Sequence, residues 1–152
     1  MTNVSRADVD VLLTATRDLV AFATATLDEA SEVTLPQMRL MFAIDDRGSA
    51  SCGALASALG LSGSSITRLA DRLVTSGHVA REVNPDNRSV VMLSLTDAGR
   101  STVDAVVRRR ARVFRDALGK LDPALRAGLV AGLSELHHTL AESADMPPLV
   151  DR

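Results

Sequence analysis

Apolar residues recur at steps of three and four over most of this chain, which is the spacing of helices with one buried face. The pattern predicts a first helix over residues 7–30 and a second that begins at Thr34 or the next residue, with Pro36 in its first turn. Two further helices are expected at the other end of the chain, one from Thr96 and one from Asp122. The chain is therefore expected to be mainly α-helical.

The middle of the chain predicts two short helices joined by a tight turn. Ser49 or Ser51 can cap the first of these helices, and Gly60 ends it. Ser62 caps the second, whose apolar positions share one face. Gly77 follows it at the position where helices commonly end with a residue in the left-handed backbone conformation. This order of elements is a helix-turn-helix.

A β-hairpin is expected directly after these helices. Residues 79–83 alternate in polarity and residues 90–95 are rich in β-formers, with turn residues Asn84, Pro85 and Asp86 between them. A small helix with hydroxyls and arginines on its open face can enter a major groove, and a basic-tipped hairpin beside it can reach the neighbouring minor groove. The predicted fold class is α+β, a winged helix-turn-helix, and it indicates DNA binding rather than a reaction.

Composition narrows the class of protein further. With 152 residues, 46% of them hydrophobic, the chain is long enough for one domain with a real core. It has three Phe and neither Trp nor Tyr, which disfavours binding of single strands by aromatic stacking. It shows no apolar run of membrane-spanning length and no signal-like segment, and its one cysteine, Cys52, fits a reducing compartment. A cytoplasmic protein without membrane contact is therefore expected.

Charge is distributed unevenly along the chain. A net charge of −2 is unusual for a DNA-binding protein, yet residues 61–115 hold ten arginines against five acidic side chains. That segment carries +5 and the remainder −7. Exposed charges more than about 10 Å apart are largely screened at physiological salt, so a basic segment on an acidic body can still bind phosphates.

Four short motifs stand in a fixed order along the chain. They are Leu35-Pro36-Gln37, residues 64–68 with Asp71 and Leu73, residues 77–81, and Asp86-Asn87-Arg88-Ser89 followed by residues 93–96 and Gly99. In these motifs, and in helix order and length over nearly the whole chain, the sequence resembles the MarR-type regulators, the multiple-antibiotic-resistance regulator family. The last motif is the most specific of the four. His78 departs from the family pattern, which has an apolar residue there.

The resemblance implies a homodimer in which the terminal helices, residues 7–30 and 97–144, interlock, and residues 34–96 form the DNA-binding module. It also implies a repressor on a pseudo-palindromic operator of double-stranded DNA, with recognition helix 62–76 in the major groove and wing 84–89 at the minor groove. By position, the DNA contacts would come from Ser62, Ser64, Ser65, Thr67, Arg68 and Arg72 on the helix and from Arg88 and Ser89 on the wing.

Three further residues are expected to support this surface. An acid that faced phosphates would be repelled, so Asp71 is expected to be structural and to pair with Arg81 on the first strand of the wing. The resemblance implies that Asp86 helps to hold the wing loop.

A run of arginines follows the wing and allows two interpretations. Arg108, Arg109, Arg110, Arg112 and Arg115 could form a second DNA patch. Asp104 with Arg108, and Arg112 with Asp116, are spaced as four-residue helix pairs, so a solvated, salt-bridged face is the alternative.

A second class of function stays open, a ligand-, redox- or metal-responsive helical protein with weak or conditional DNA binding. Family members often respond to a small-molecule effector. A pocket between the terminal helices and the module would have Phe22, Met38, Met41 and Phe42 in its walls, although the same residues suit a core.

Redox, metal and catalytic roles have less support in the sequence. Family members that sense oxidants carry a cysteine near the start of the first helix, where this chain has none, and Cys52 suits a small buried residue. His137 and His138 point about 100° apart on a helix and lack further ligands at good spacing, so no metal site is expected. No phosphate loop or nucleophile motif is recognisable, and neither an enzyme nor a cofactor is expected.

Overall fold

Six helices and three short strands make up residues 3–28 and 32–142, the part of the chain that this computed structural model describes. The last residues of the predicted first helix, 29 and 30, and residues 143 and 144 of the predicted terminal region lie outside the described residues. In chain order the elements are α1 (Arg6–Asp28), α2 (Leu35–Asp45), β1 (Ser49–Ser51), α3 (Cys52–Leu59), α4 (Gly63–Thr75), β2 (Val79–Val83), β3 (Val91–Leu95), α5 (Asp97–Gly119) and α6 (Pro123–Ala141).

Side-chain caps confirm the predicted helix starts. The choice between Ser49 and Ser51 falls on Ser51, whose Oγ accepts a hydrogen bond from the Ala54 N–H at 3.2 Å. Each cap satisfies a backbone donor that the helix itself leaves free. The other caps are Ser62 Oγ with the Ser65 N–H at 3.3 Å, Thr96 Oγ1 with the Gly99 N–H at 3.0 Å, and Asp122 Oδ1 with the Ala124 N–H at 2.9 Å.

The predicted hairpin is part of a three-stranded antiparallel sheet with strand order β1-β3-β2. Val79 pairs with Leu95 and Val83 with Val91, as the hairpin prediction requires. Strand β1, which pairs Ala50 with Leu93, was not expected. Because it has only three residues, it shows no polarity period that could reveal it in the sequence.

Helix α2 lies at the centre of the core. Its side chains Met38, Leu40, Met41 and Ile44 have no exposed surface, and it packs against α1, α3, α4, α5, β1 and β3. The other fully or almost fully buried apolar side chains come from each of those elements, from β2 and from the segment before α2, so one core joins the helix-turn-helix, the sheet and the first half of α5. Its members outside α2 are Leu27, Val33, Ala50, Leu55, Leu59, Ile66, Ala70, Leu73, Val79, Leu93, Leu95, Val103 and Val106.

The terminal helices keep most of their apolar residues in water. No residue of α6 is buried, and Leu125 is 62% exposed and Leu133 50% exposed. Helix α1 exposes Val9, Leu12, Leu13, Leu19 and Val20 in the same way, and α5 exposes Val113 and Phe114 near its end. Apolar surface on this scale marks an interaction site in a folded protein.

None of the helices in the described ranges has the length and apolar character needed to cross a membrane.

The end of α4, the sheet and the start of α5 meet in one close contact. Gly77 adopts φ 78°, the left-handed conformation expected of it, and turns the chain from α4 into β2. The Thr96 hydroxyl donates to the Gly77 carbonyl oxygen at 2.6 Å, and the Thr96 N–H donates to the His78 carbonyl oxygen at 3.0 Å. A Cβ on Gly99 would lie 2.1 Å from that same His78 oxygen. Only glycine at position 99 allows this approach.

We therefore expect Gly99→Ala to lower the free energy of unfolding by about 1 to 3 kcal/mol, because the new methyl group must push α5 away from the His78 carbonyl. The measurement is a urea unfolding curve. Gly53→Ala is the matched control, since a Cβ at that helical position meets no atom within 4 Å. It should leave stability unchanged or raise it slightly, and an equal loss in both variants would contradict the steric explanation.

Candidate DNA-binding surface

Helix α4 buries one face and exposes the residues predicted to contact DNA on the other. Ile66, Ala70 and Leu73 are fully buried, and they hold the helix on α2 and α3. Ser65 is half-buried on the flank. The exposed members of the predicted set on this helix and its cap are Ser62, Ser64, Thr67, Arg68 and Arg72.

The hydroxyl groups at the start of α4 are already engaged within the helix. Ser62 Oγ lies 3.1 Å from Ser64 Oγ and 2.9 Å from Ser65 Oγ. Thr67 Oγ1 donates to the Gly63 carbonyl oxygen at 2.9 Å. Arg68 and Arg72, by contrast, have no hydrogen-bond or ion-pair partner among the described residues. The two arginines are therefore charged donors on this helix that remain available to a ligand.

The predicted pair of Asp71 with Arg81 is confirmed. Arg81 Nη2 donates to Asp71 Oδ1, and both side chains remain partly exposed, at 39% for Arg81 and 53% for Asp71. An ion pair this exposed contributes little to stability, typically below about 1 kcal/mol. Its effect is electrostatic, because it neutralises the acid on the outer face of α4 and links that helix to β2.

The wing loop between β2 and β3 is closed by two asparagine side chains. Asn84 Oδ1 accepts from the Asp86 N–H at 2.9 Å, and Asn87 Oδ1 accepts from the Ser89 N–H at 3.1 Å. The Asp86 carboxylate makes no hydrogen bond or ion pair to any described residue, so its supporting role stays a prediction. Arg88 is exposed at the tip, also without a partner in the described part of the chain. The Asn84 and Asn87 contacts follow from the turn chemistry of asparagine, a signal present in the sequence.

A notch of about 320 Å³ separates α4 from the start of α2. Its apolar lining comes from Pro36, Leu61 and Leu69, and its polar lining from Ser65, Arg68 and Arg72. Sequence reasoning missed Pro36 and Leu61 as parts of this surface. The proximity of Pro36 to α4 depends on how α2 packs against that helix, whereas Leu61 lies just before α4 in the chain. The notch places both arginines beside a concave surface on the predicted DNA-binding face.

The arginine run on α5 divides into two sides of the helix. Arg108, Arg112 and Arg115 are exposed and line a hollow of about 520 Å³ with Arg109 and two alanines. The expected pairs of Asp104 with Arg108 and of Arg112 with Asp116 do not form, so the interpretation as a salt-bridged face is corrected. Arg110 points the other way, towards α1 and α2.

The four residues named for an effector pocket have different environments. Met38 and Met41 are fully buried in the core. Phe22 is half-buried, and the centroid of its ring lies 4.8 Å from the centroid of the Phe114 ring. Phe42 lines an open hollow of about 360 Å³ together with Val107, Arg110, Ala111 and Phe114. A small-molecule effector stays a prediction.

The candidate redox and metal residues are placed as follows. Cys52 is a half-buried free thiol that packs against the core at the start of α3. The rings of His137 and His138 meet edge to face, with their centroids 5.6 Å apart. Within residues 3–28 and 32–142, no group of three His, Cys, Asp or Glu side chains is placed to hold a metal ion.

These elements define a winged helix-turn-helix protein. It has two exposed arginines on α4, the second helix of the helix-turn-helix, and one at the wing tip. A model of the MarR family matches residues 33–91, which run from the start of α2 to the start of β3. The chain is 33% identical over 94 residues to YhbI, an uncharacterized HTH-type transcriptional regulator of Bacillus subtilis. That match covers 62% of this chain and 61% of YhbI.

Solved structures extend the likeness to nearly the whole chain. RV1404 from Mycobacterium tuberculosis is 31% identical with a TM-score of 0.83, over 93% of this chain and 99% of that one. FabT of Streptococcus pneumoniae, solved in complex with DNA, has a TM-score of 0.79 over 91% of this chain and 99% of its own. At 18% identity it shows the shared fold. The chain belongs to the MarR family, a class of transcriptional regulators and not of enzymes.

Proposed function

We propose that the protein is a sequence-specific transcriptional repressor that binds a pseudo-palindromic operator as a homodimer. The observation that carries the proposal is the charge arrangement on α4. Arg68 and Arg72 are exposed and unpaired among the described residues, whereas the acid beside them, Asp71, is neutralised by Arg81. The outer face of α4 is therefore positive in a chain whose net charge is −2. FabT, which shares the fold, is solved with DNA.

The arrangement supports a division of roles between helix and wing. An arginine in the major groove can donate two hydrogen bonds to the O6 and N7 atoms of guanine and so distinguish bases. Arg68 lies on the outer face of α4 and suits this role. Arg88 lies on a wing tip, where it suits the minor groove or a phosphate, contacts that carry less sequence information.

The exposed apolar stripes support the dimer. Leu125, Leu129 and Leu133 recur every four residues on α6 and stay between 42% and 62% exposed. A helix without a single fully buried residue in its own chain gains little stability from that chain, so its apolar face needs a partner. A second copy supplies the same stripe and presents two recognition helices to two half-sites, about one helical turn of DNA apart.

The first test compares three purified proteins: the wild type, Arg68→Ala and Arg88→Ala. For each, the genomic DNA fragments that it binds are selected at two salt concentrations. We expect one palindromic motif for the wild type. Arg68→Ala should cost about 1 to 3 kcal/mol on that motif and relax the base preference at one position of each half-site. Arg88→Ala should weaken binding to all fragments more evenly and reduce the salt dependence by about one charge. Recovery of no motif by the wild type would overturn the proposed function.

The Asp71–Arg81 pair gives a second test. Arg81→Ala leaves the Asp71 carboxylate uncompensated on the DNA-facing side and should weaken operator binding about tenfold. Adding Asp71→Asn restores the wild-type net charge and should return the affinity to within about threefold. Fluorescence anisotropy measures both, and unfolding curves should change by less than about 1 kcal/mol. If the double variant binds as weakly as Arg81→Ala, Arg81 itself contacts DNA and the neutralising role is wrong.

The dimer is tested by Leu129→Glu, which places a charge in the middle of the α6 stripe. We expect a monomer by light scattering and a loss of about 100-fold in operator affinity, because each half-site is then bound separately. Ser134→Glu is the matched control, since residue 134 lies on the opposite side of the same helix. It should remain dimeric, and a dimeric Leu129→Glu variant would contradict the proposed interface.

A further inference from the structure

Arg110 lies where three helices meet, and it contacts two of them from the third. From α5 its Nε donates to Thr26 Oγ1 at 3.2 Å and its Nη2 donates to the Ala23 carbonyl oxygen at 3.1 Å, both on α1. Its guanidinium carbon lies 5.6 Å from the centre of the Phe42 ring on α2, within the range of a cation–π contact. One side chain thus joins α1, α2 and α5.

Arg110 is a half-buried charge whose partners are neutral groups. It is half-buried, and no carboxylate among the described residues lies within ion-pair distance of it. Burial lowers the pKa of the Arg110 guanidinium from its usual value, and an arginine still remains charged at neutral pH. A partly desolvated charge is costly unless hydrogen bonds satisfy it. Two acceptors on α1 and one aromatic ring on α2 therefore determine where this group sits.

Thr26 Oγ1, which accepts the Nε hydrogen bond of Arg110, is itself held in place by other contacts. Thr26 is the one polar side chain among the described residues that is buried, at 4% exposure. Its hydroxyl also donates to the carbonyl oxygens of Phe22 and Ala23, about one turn earlier in α1. The contact of Arg110 with α1 is consequently directional and partly shielded from water. A partly buried hydrogen bond of this kind defines relative position more sharply than apolar contact does.

Apolar packing leaves room for movement on the adjoining side of this junction. The hollow of about 360 Å³ beside Arg110 is lined by Phe42, Val107, Ala111 and Phe114 and is open to solvent. Because side chains do not fill this space, apolar packing constrains the angle between α2 and α5 less here than in the closed core. The polar contacts of Arg110 are the directional ones at this place.

We infer that Arg110 is a positioning residue that fixes the winged module relative to the terminal helices, and so sets the half-site spacing that the dimer accepts. This inference rests on the proposed function. Helix α2 is the centre of the module that carries α4 and the wing, whereas α1 and the end of α5 carry apolar surface assigned to the dimer. A change in the angle between α2 and the α1–α5 pair therefore moves the two recognition helices relative to each other.

The consequence is measurable on DNA. One added base pair between half-sites displaces the second half-site by about 3.4 Å along the axis and rotates it by about 35°. A rigid dimer should reject that change and a loosened one should tolerate it. Spacing preference, defined as the ratio of affinities for the selected operator and for operators with one base pair added or removed, is therefore the readout.

The experiment compares wild type with Arg110→Gln on those three operators. We expect the wild type to lose about tenfold or more when the spacing changes by one base pair, and Arg110→Gln to lose less than about threefold. A general loss of stability would lower binding to all three operators alike and leave the ratio unchanged. Arg110→Lys should not restore the preference, because an ammonium group cannot reproduce the planar set of donors that serves both acceptors.

Three further variants control the result. Arg112→Gln removes the same charge from the other side of α5 and should keep the wild-type ratio. Thr26→Val removes the hydroxyl acceptor with little change of shape, and Phe42→Leu removes the aromatic ring. Each should lower the ratio partway even if Arg110→Gln does not fold.

The outcomes separate this inference from the proposed function. If the wild type selects a palindrome and the Arg110, Thr26 and Phe42 variants keep its full spacing preference, the positioning role is wrong and the function stands. If the wild type binds no operator, the proposed function and the inference fail together. A ratio lowered equally in Arg112→Gln would also overturn the inference, because loss of charge alone would then explain it.

Discussion

The burial of α2 is the constraint on which the rest of the structure depends. Met38, Leu40, Met41 and Ile44 have no exposed surface, so most of the apolar surface of this helix must be covered by other elements. The helix-turn-helix, the sheet and α5 each cover part of it, so all of them pack around this one helix. The recognition helix is therefore held by the core from behind, which leaves its outer face free to carry polar groups.

On the outer face of α4 the acidic side chain is paired and, within the described part of the chain, the arginines are not. The chain as a whole is acidic, yet Asp71 is neutralised by Arg81, while Arg68, Arg72 and Arg88 have no partners among the described residues. Arg110 shows the opposite arrangement at the other end of the core, where neutral acceptors and an aromatic ring hold a half-buried charge. Among the described residues, the same type of side chain is thus exposed and unpaired on α4 and at the wing tip, and half-buried and hydrogen-bonded at Arg110 on α5.

Local rules predicted most of the fold and part of the site. Ser62, Thr96 and Asp122 cap helices as expected, because a cap depends on only the next three residues. The pairing of Asp71 with Arg81 was also predictable, since an acid on a helix predicted to face DNA needs neutralising. By contrast, the pairs expected along α5 do not form. Exposed residues at four-residue spacing gain little from pairing, so that spacing alone does not determine whether a pair forms.

The sequence by itself determined the order and ends of the helices, the hairpin and the residue types on the outer face of α4. These follow from periodicity, caps and turns, which act over a few residues. Tertiary structure alone decided that β1 joins the sheet, that Pro36 lines a notch beside Arg68, and that Arg110 turns inward to Thr26. Each of these contacts joins segments that are far apart in the chain. Such contacts depend on which buried faces pack together, and no local pattern encodes that choice.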